Sequence, residues 1–373
     1  MSHTAPAATL ENSVVLDGDV VRILDRRVFP ARIEWVTART AHEVAAAIRG
    51  MVTQSSGPLY AACAGMQLAA LQARSLPVDA ARRALTEAAG EIAAARPTNA
   101  HPRDAVARVI AGIADATTTA ELVACAIDTA RDIDLEYRDA GLRLGRVTIE
   151  LLPANARVLT HCWMDAYLFG VVAAAREADI RLDWAATETR PYLQGARLTA
   201  HSLRELDQRV TLITDGMAAA ALASPSGTGT GPIDAVLTAA DRVSLDGDVV
   251  NKVGTLGIAA AAAAFGVPYY ALVEAPDPAA PTGADIVIED RDPREVLEVL
   301  GARTASPLVT DAWYPAFDLT PARLVTRVVT KRGAFEPAAV AAHFATAPDL
   351  YAQPLTARGR RVAASPLQGA VPA

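Results

Sequence analysis

Residues 156–187 read ARVLTHCWMDAYLFGVVAAAREADIRLDWAAT, in which two short apolar runs flank an alanine-rich stretch. The apolar runs predict strands at Ala156–Thr160 and Arg181–Thr187, and the stretch between them predicts a helix over Asp165–Glu177. A strand, a helix and a strand in this order indicate a βαβ unit in a parallel sheet. This unit decides the fold class.

The same alternation continues towards the C-terminus. Further strands are predicted at Val210–Thr214, Ala235–Leu237, Arg242–Leu245, Pro268–Val273 and Ile286–Ile288, and further helices at Ser202–Gln208 and Gly254–Phe265. We therefore expect an α/β protein whose larger domain is Rossmann-like with a parallel sheet.

The N-terminal part of the chain has a different pattern. Val14–Leu24 predicts a β-hairpin around Asp17-Gly18, and apolar residues at helical spacing predict an all-α region from Ala41 to about Arg138. The expected organisation is a disordered tail over 1–12, a β-hairpin plus helical domain over 13–145, a Rossmann-like catalytic domain over 146–350 and a C-terminal tail over 351–373.

Composition excludes several classes of protein. The chain has 373 residues and a formal net charge of −7, a balance that disfavours nucleic-acid binding. Its three cysteines, Cys63, Cys125 and Cys162, are too few and too scattered for a disulfide framework or a zinc site. The sequence shows neither a secretory signal nor an uninterrupted membrane span, so we expect a cytoplasmic protein without a membrane partner.

Ligands of parallel sheets bind outside the carboxyl ends of the strands. Cys162 follows the predicted strand that ends at Thr160, and the N-terminus of the next helix is expected to lower the pKa of its thiol. The alternative is that Cys162 is a small buried hydrophobic residue, as most free cysteines are.

Two further polar stretches follow predicted strands. Residues 188–199, ETRPYLQGARLT, contain Gln194 and suit either a binding loop or a salt-bridged loop that caps a helix. Asp241 is a candidate catalytic group, with a structural ion pair to Arg242 as the alternative. Asn251 and Lys252 precede a predicted helix and suit an anion.

Fingerprints of nucleotide cofactors are absent, since the chain contains neither GxxxxGK[ST] nor GxGxxG at these strand ends. We therefore expect no cofactor. In the helical part, Arg96 precedes Pro97 and is either a phosphate clamp or a solvated arginine at a helix end. The histidines show no metal-ligand spacing.

Five segments, in this order, resemble methylthioribose-1-phosphate isomerases: LTHC (159–162), ETRPYLQGARLTA (188–200), LITDGMAAAAL (212–222), AADRVSLDGDVVNKVGT (239–255) and YPAFDLTPARLVT (314–326). The wider superfamily includes ribose-1,5-bisphosphate isomerase and the regulatory subunits of an initiation-factor exchange complex. The resemblance covers about residues 20–335.

The resemblance implies a small β element and a helical domain before a Rossmann-like domain, and a homodimer. It places the catalytic cysteine at Cys162 and the catalytic aspartate at Asp241. It places the contacts to phosphate and sugar at four residues: Arg96, Gln194, Asn251 and Lys252.

The chain departs from the family pattern at two places. The family's Arg-Gly-Ala-Pro loop, which contacts phosphate, is replaced by Val52–Pro58, where no arginine occurs. The segment after Cys162 is shorter than in the family and carries the bulky Trp163 and Tyr167. Both departures bear on the substrate and leave the two catalytic positions intact.

The expected reaction is an aldose–ketose isomerisation of a 5-substituted ribose 1-phosphate, of the methylthioribose or 5-deoxyribose type. It needs one acid and one base and neither metal nor nicotinamide. We expect Asp241, with a pKa raised by burial, to protonate the ring oxygen, and Cys162 to handle the proton at C2 or to stabilise the developing charge. The alternatives are a ribose-1,5-bisphosphate isomerase and a non-catalytic subunit that senses a sugar phosphate or a nucleotide.

Overall fold

The computed structural model describes residues 9–96, 100–229, 231–347 and 351. Contacts within the chain divide these residues into two compact units. Unit 1 comprises the described residues up to Asp139 together with Arg197–Glu205, and unit 2 comprises Ala140–Ala196 together with the described residues from Leu206 onwards.

Unit 1 begins with a small antiparallel sheet. The predicted hairpin is confirmed: β1 (Val14–Asp17) pairs with β2 (Val20–Leu24), and β2 pairs with β3 (Trp35–Ala38). Gly18 lies at the tip with φ of 63°, a conformation that an Asp-Gly turn supplies at little cost. The sequence had not indicated β3.

The all-α region predicted from Ala41 to about Arg138 is confirmed, although its last helix continues to Glu150. Its helices are α1 (Ala41–Arg49), α2 (Gly57–Ala73), α3 (Val78–Ala93), α4 (Ala100–Gly112) and α5 (Thr119–Glu150). Nearly every residue of α2 is buried, so this helix, apolar on all sides, is the central one of unit 1. A last short helix, α7 (Ala200–Glu205), also belongs to unit 1.

Unit 2 is built on a seven-stranded sheet in the order β15-β14-β10-β7-β4-β5-β6. Its strands are β4 (Arg157–Thr160), β5 (Asp183–Thr187), β6 (Arg209–Ile213), β7 (Ala235–Ala239), β10 (Tyr269–Leu272), β14 (Arg327–Thr330) and β15 (Gly333–Phe335). All neighbours pair in parallel except β14 and β15. The predicted α/β class with a parallel sheet is confirmed.

The chain reverses its direction of travel across this sheet between β4 and β7. From β4 it proceeds to β5 and β6 on one side, then returns to β7 on the other side of β4 and continues to β10 and β14. Such a switch point leaves a crevice at the carboxyl ends of the two central strands, where ligands of open α/β sheets bind.

Two predicted strands are wrong as members of the parallel sheet. Only Arg242–Val243 of the predicted strand at 242–245 is extended; this strand, β8, pairs antiparallel with β9 (Val249–Lys252) in a separate sheet completed by β13 (Phe317–Thr320). Residues 286–288 form no strand. Ile286 packs in a small apolar cluster with Val250, whereas Val287 is 90% exposed. These apolar residues therefore belong to a connecting segment and not to a strand.

Unit 2 also contains α-helices besides the end of α5. They are α6 (Ala166–Glu177), α8 (Ala218–Ala223), α9 (Thr255–Ala264) and α10 (Arg294–Leu297), the last followed by a hairpin of β11 (Glu298–Val299) and β12 (Ala302–Arg303). The end of α5 crosses α6 at glycines. A Cβ on Gly170 would lie 2.0 Å from the carbonyl oxygen of Gly141, and one on Gly145 would lie 2.1 Å from that of Gly170. The two helices therefore touch backbone to backbone.

The predicted domain boundaries remain predictions. Helix α5 runs through the expected boundary at 145/146 and contributes residues to both units. Of the two predicted tails, 1–8 and 352–373 lie outside the described residues, but Leu10 within the first is fully buried.

We expect Gly170→Ala to destabilise the protein by about 1–3 kcal/mol, because the added methyl group has no room against α5. Thermal unfolding followed by circular dichroism measures this. The matched control is Gly257→Ala in α9, where a Cβ meets nothing within 4 Å. There the higher helix propensity of alanine should leave the free energy of unfolding unchanged or raise it by up to about 1 kcal/mol. Equal effects of the two substitutions would contradict the close crossing.

Candidate active site

Cys162 and Asp241 emerge at the switch point of the unit 2 sheet. Cys162 lies two residues after the end of β4, and Asp241 lies two residues after the end of β7. The two strands are adjacent and parallel, with Thr160 paired to Leu237. The predicted catalytic residues are therefore carried by neighbouring strand ends at the same edge of the sheet.

Hydrogen bonds tie the loop of Cys162 to the loops that follow β5 and β6. The backbone N–H of Cys162 donates to Thr189 Oγ1 at 2.9 Å. The backbone N–H groups of Thr189 and Arg190 donate to the two carboxylate oxygens of Asp215, at 2.8 and 2.6 Å. Asp215 lies two residues after the end of β6, so the ends of β4, β5 and β6 are fixed to one another.

Left-handed backbone conformations are concentrated in these loops. Four non-glycine residues have positive φ: Cys162 at 65°, Asp165 at 47°, Thr189 at 65° and Leu193 at 63°. Each such residue costs of order 1–3 kcal/mol and persists only where its surroundings hold it. Strain of this kind at the predicted catalytic cysteine is the expected signature of a functional loop.

The thiol of Cys162 is protonated in this environment. Burial raises its pKa from 9.0 to about 12; the charge of Lys252 acts in the opposite direction, and that of Asp241 raises it further. The expectation of a lowered pKa is therefore wrong, because desolvation of the thiol outweighs the nearby cation. Both charges act on the thiol, so Cys162, Asp241 and Lys252 lie within electrostatic reach of one another.

Asp241 is exposed in this structure, which contradicts the expected burial. Its backbone N–H donates to the carbonyl of Val250 at 3.0 Å, which fixes the main chain beside β9. The guanidinium of Arg242 is bonded to the carboxylate of Asp277, with Nε at 2.8 Å. Arg242 therefore forms its ion pair with Asp277 and not with Asp241, which was the structural alternative considered from the sequence.

Asn251 and Lys252 are buried in β9, a strand that was not among those predicted from the sequence. Asn251 Nδ2 donates to Thr255 Oγ1 at 3.0 Å. Lys252 Nζ lies 4.5 Å from the centre of the Phe317 ring, a cation–π contact. Among the described residues no carboxylate pairs with this ammonium, so it is available to an anionic ligand.

His161 joins the end of β4 to the turn that precedes α9. Its Nδ1 lies 2.6 Å from Thr187 Oγ1 and its Nε2 lies 2.9 Å from the carbonyl oxygen of Val253. The ring is buried, and burial holds its pKa below the ordinary value of 6.5. The sequence had suggested no more for His161 than a neighbour of Cys162.

Several buried polar atoms near these strand ends find no hydrogen-bond partner among the described residues. They include Gln194 Oε1, Thr160 Oγ1 and Trp163 Nε1. A buried polar atom that is left unsatisfied costs about 1–3 kcal/mol, and such atoms in native structures call for an explanation. A polar ligand supplies one, and Gln194 was among the predicted contacts.

Tyr314 and Asp318 belong to the site region but were missed. Tyr314 is buried, and its pKa is raised to about 12 by burial, with Glu295 and Cys162 contributing in the same direction. Asp318 accepts hydrogen bonds from the backbone N–H groups of Gly254, at 2.7 Å, and Leu256, at 3.1 Å, at the start of α9. Both lie in YPAFDLTPARLVT, which is distant in sequence from the strand ends.

The two arginines of ETRPYLQGARLTA belong to different units. Arg190 donates to the carbonyls of Glu295, Val296 and Glu298 at 3.0–3.1 Å and so holds the end of α10 in unit 2. Arg197 belongs to unit 1 and donates to the carbonyl of Phe29 at 3.1 Å. Both arginines hold backbone.

Arg96 and the arginine-free loop at 52–58 also belong to unit 1. Arg96 is half-buried just before residues 97–99, which lie outside the described residues. A buried arginine from outside the loop contacts it: Arg26 Nη1 donates to the carbonyl of Gln54 at 2.7 Å. The role of Arg96 towards a phosphate stays a prediction.

Residues 54–337 match the Initiation factor 2 subunit family. This chain belongs to that family. It is 42% identical over 330 residues to a methylthioribose-1-phosphate isomerase of Anaeromyxobacter sp. (strain K), with 84% of this chain and 90% of the relative covered. It is 36% identical over 325 residues to the isomerase of that name from Geobacillus kaustophilus, with 84% and 89% covered.

Solved structures give the same family. The fold is similar to 5-methylthioribose 1-phosphate isomerase from Pyrococcus horikoshii OT3, with a TM-score of 0.80, 28% identity and 91% and 97% of the two chains covered. It is also similar to the translation initiation factor eIF-2B, subunit delta, from A. fulgidus, with a TM-score of 0.78, 30% identity and 87% and 96% covered. The predicted family is confirmed. No helix among the described residues has the length and apolarity to cross a membrane.

Asp318 gives the stability of the protein a pH dependence. Burial raises its pKa from 3.8 to about 6. Between these values the folded chain binds more protons than the unfolded chain, so the contribution of this group to the free energy of unfolding grows as the pH falls. The advantage of the wild type over Asp318→Asn in melting temperature should increase from pH 7 to pH 4.5.

Asp285→Asn is the matched control for this measurement. Hydrogen bonds from Thr282 lower the pKa of Asp285 below 3.8. That carboxylate therefore stays ionised throughout the range, and the difference between wild type and variant should be constant. A constant difference for Asp318→Asn as well would contradict the raised pKa.

Proposed function

We propose that this chain is an aldose–ketose isomerase that converts methylthioribose 1-phosphate to the corresponding ribulose 1-phosphate. One observation carries the proposal: Cys162 and Asp241 follow the two strands that flank the switch point of the sheet. A methylthioribose-1-phosphate isomerase that is 42% identical to this chain supports the substrate class.

The reaction needs one proton donor and one proton acceptor. The ring oxygen must be protonated as its bond to C1 breaks, the hydrogen on C2 must move to C1, and the hydroxyl of C2 must lose its proton to become the carbonyl group. Burial keeps the thiol of Cys162 protonated, which suits the donor at the ring oxygen. Asp241, exposed beside it, suits the acceptor. The structure thus favours the reverse of the roles expected from sequence.

Binding of the phosphate is assigned to the buried cation. Lys252 has no carboxylate partner among the described residues, and its charge acts on the Cys162 thiol, so an anion bound there lies next to the reacting atoms. Gln194, whose buried Oε1 finds no partner in the described chain, would accept from a sugar hydroxyl. Asn251 completes the proposed contacts within unit 2.

The activity is tested with three ribose 1-phosphates that carry a methylthio group, a hydrogen or a phosphate at C5. Conversion to the ketose is followed by NMR without added metal or cofactor. We expect the methylthio compound to be converted fastest. Cys162→Ser and Asp241→Asn should each lower kcat by a factor of about 100 or more, since general acid–base groups contribute about 10²–10⁴-fold.

Cys125→Ser is the matched control, because this half-buried cysteine lies in α5 of unit 1. It should retain full turnover. Preference for the bisphosphate would change the substrate and keep the mechanism. No conversion of any of the three compounds would contradict the enzymatic proposal and favour a non-catalytic subunit.

The proposed phosphate site can be tested by comparing substitutions at the two lysines of this chain. The sequence has two lysines, Lys252 and Lys331. We expect Lys252→Met to raise KM about 10- to 100-fold, the equivalent of a charge-assisted hydrogen bond of about 1.5–3 kcal/mol. Lys331→Met removes a lysine whose Nζ is 3.1 Å from Glu274 and should leave KM unchanged. Equal effects on KM would contradict the assignment.

A homodimer in the cytoplasm belongs to the same proposal. Apolar side chains that are largely exposed in the single chain support self-association: Val287 at 90%, Leu308 at 91% and Trp313 at 77%. Light scattering after size exclusion tests it, and the mass of a single chain at micromolar concentration would contradict it.

A further inference from the structure

One peptide group of unit 2 is held at both of its ends. The carbonyl oxygen of Val253 lies 2.9 Å from His161 Nε2, and the N–H of Gly254, in the same peptide plane, donates to Asp318 at 2.7 Å. The two holding side chains come from opposite directions along the sequence, one from the end of β4 and one from β13. The peptide plane therefore cannot rotate without breaking one of these bonds.

The hydrogen bonds also determine the tautomer of His161. A carbonyl oxygen only accepts, so Nε2 must carry the hydrogen that points to Val253. Burial keeps the ring neutral, which leaves Nδ1 as an acceptor for the hydroxyl of Thr187 at 2.6 Å. His161 is thus a neutral spacer with a fixed orientation between β5 and the turn before α9.

Gly254 makes this arrangement possible. Its φ of 106° disfavours any residue with a side chain, and a Cβ there would lie 3.0 Å from Cε1 and Nε2 of His161. The imidazole therefore packs directly against the backbone of the turn. Lys252, one residue before the held peptide, is joined through this turn to Cys162, one residue after His161.

We propose that His161 is a positioning residue, which holds the Val253–Gly254 peptide group and thereby sets the Lys252 ammonium at its distance from the Cys162 thiol. Charged groups that act on the ring are few. The carboxylate of Asp215 lies 3.8 Å from Nδ1, and Lys252 contributes from β9. Both remain in the variants below.

Two amide substitutions separate the two hydrogen bonds of the ring. In His161→Gln the amide nitrogen reaches the place of Nε2 and can still donate to Val253. In His161→Asn the shorter amide can still meet Thr187 but cannot reach Val253. The two variants are alike in polarity and burial, so a general loss of stability affects both, whereas loss of the peptide contact affects only the asparagine variant.

The first readout requires no turnover. The rate of alkylation of Cys162 by iodoacetamide is measured by mass spectrometry as a function of pH. Lys252 lowers the pKa of this thiol, so Lys252→Met should move the profile to higher pH. His161→Asn should move it in the same direction and His161→Gln should not. The double variant with His161→Asn and Lys252→Met should match Lys252→Met alone.

The second readout rests on the proposed function. A misplacement of about 1 Å costs about 100-fold in rate, so His161→Asn should lower kcat by about that factor, with a profile of kcat against pH displaced like that of alkylation. His161→Gln should recover most of the rate. If the wild type converts no substrate, the alkylation profiles still decide the inference.

An unchanged alkylation profile in His161→Asn would overturn the inference. So would faster alkylation at every pH without a displacement, since that is the sign of a locally opened structure. Equal displacement in both amide variants would also overturn the inference, because the hydrogen bond to Val253 would then not be the contact that positions Lys252.

Discussion

The hydrogen bond from the backbone N–H of Cys162 to Thr189 Oγ1 is the contact on which the arrangement of the site depends. It connects the end of β4 to the end of β5, and Asp215 extends the connection to β6 by accepting from the loop of Thr189. These loops hold residues, Cys162 among them, in left-handed conformations that cost free energy. The hydrogen bonds between the loops offset this cost, and the order of the parallel strands brings the loops together. The sheet therefore acts as the frame that keeps a costly backbone in place.

The local sequence pattern was sufficient to predict the elements that are neighbours both in the sequence and in the sheet. The bounds of β4, of β5 and of the helix between them were predicted within about two residues. The reason is that the apolar runs and the alanine-rich helical pattern lie next to one another in the sequence. The antiparallel sheet of β8, β9 and β13 was not predictable in this way. Its partners Lys252 and Phe317 are far apart in the chain, so the pairing of β9 with β13 cannot be read from adjacent sequence.

The same limit applies to the candidate site. The positions of Cys162 and Asp241 follow from the rule that ligands bind at strand ends, and the rule needs only the strands. The state of the thiol does not follow, since its pKa depends on how many residues from elsewhere exclude water from it. Tyr314 and Asp318 were not predicted as site residues for a related reason: their neighbours in the fold, Glu295 and Cys162 for Tyr314 and Gly254 for Asp318, are distant in sequence.

The contact between Lys252 and the Phe317 ring has a consequence for spectroscopy. The ammonium lies 4.5 Å from the ring centre, where the circulating π electrons shift the resonances of nearby nuclei. With two lysines in the chain, reductive methylation with ¹³C-formaldehyde would introduce dimethylamine signals at these two side chains, apart from the N-terminus. The signal displaced by the ring would belong to Lys252. An anion that draws the ammonium away from Phe317 would move this signal back, so the protein contains its own reporter of occupancy.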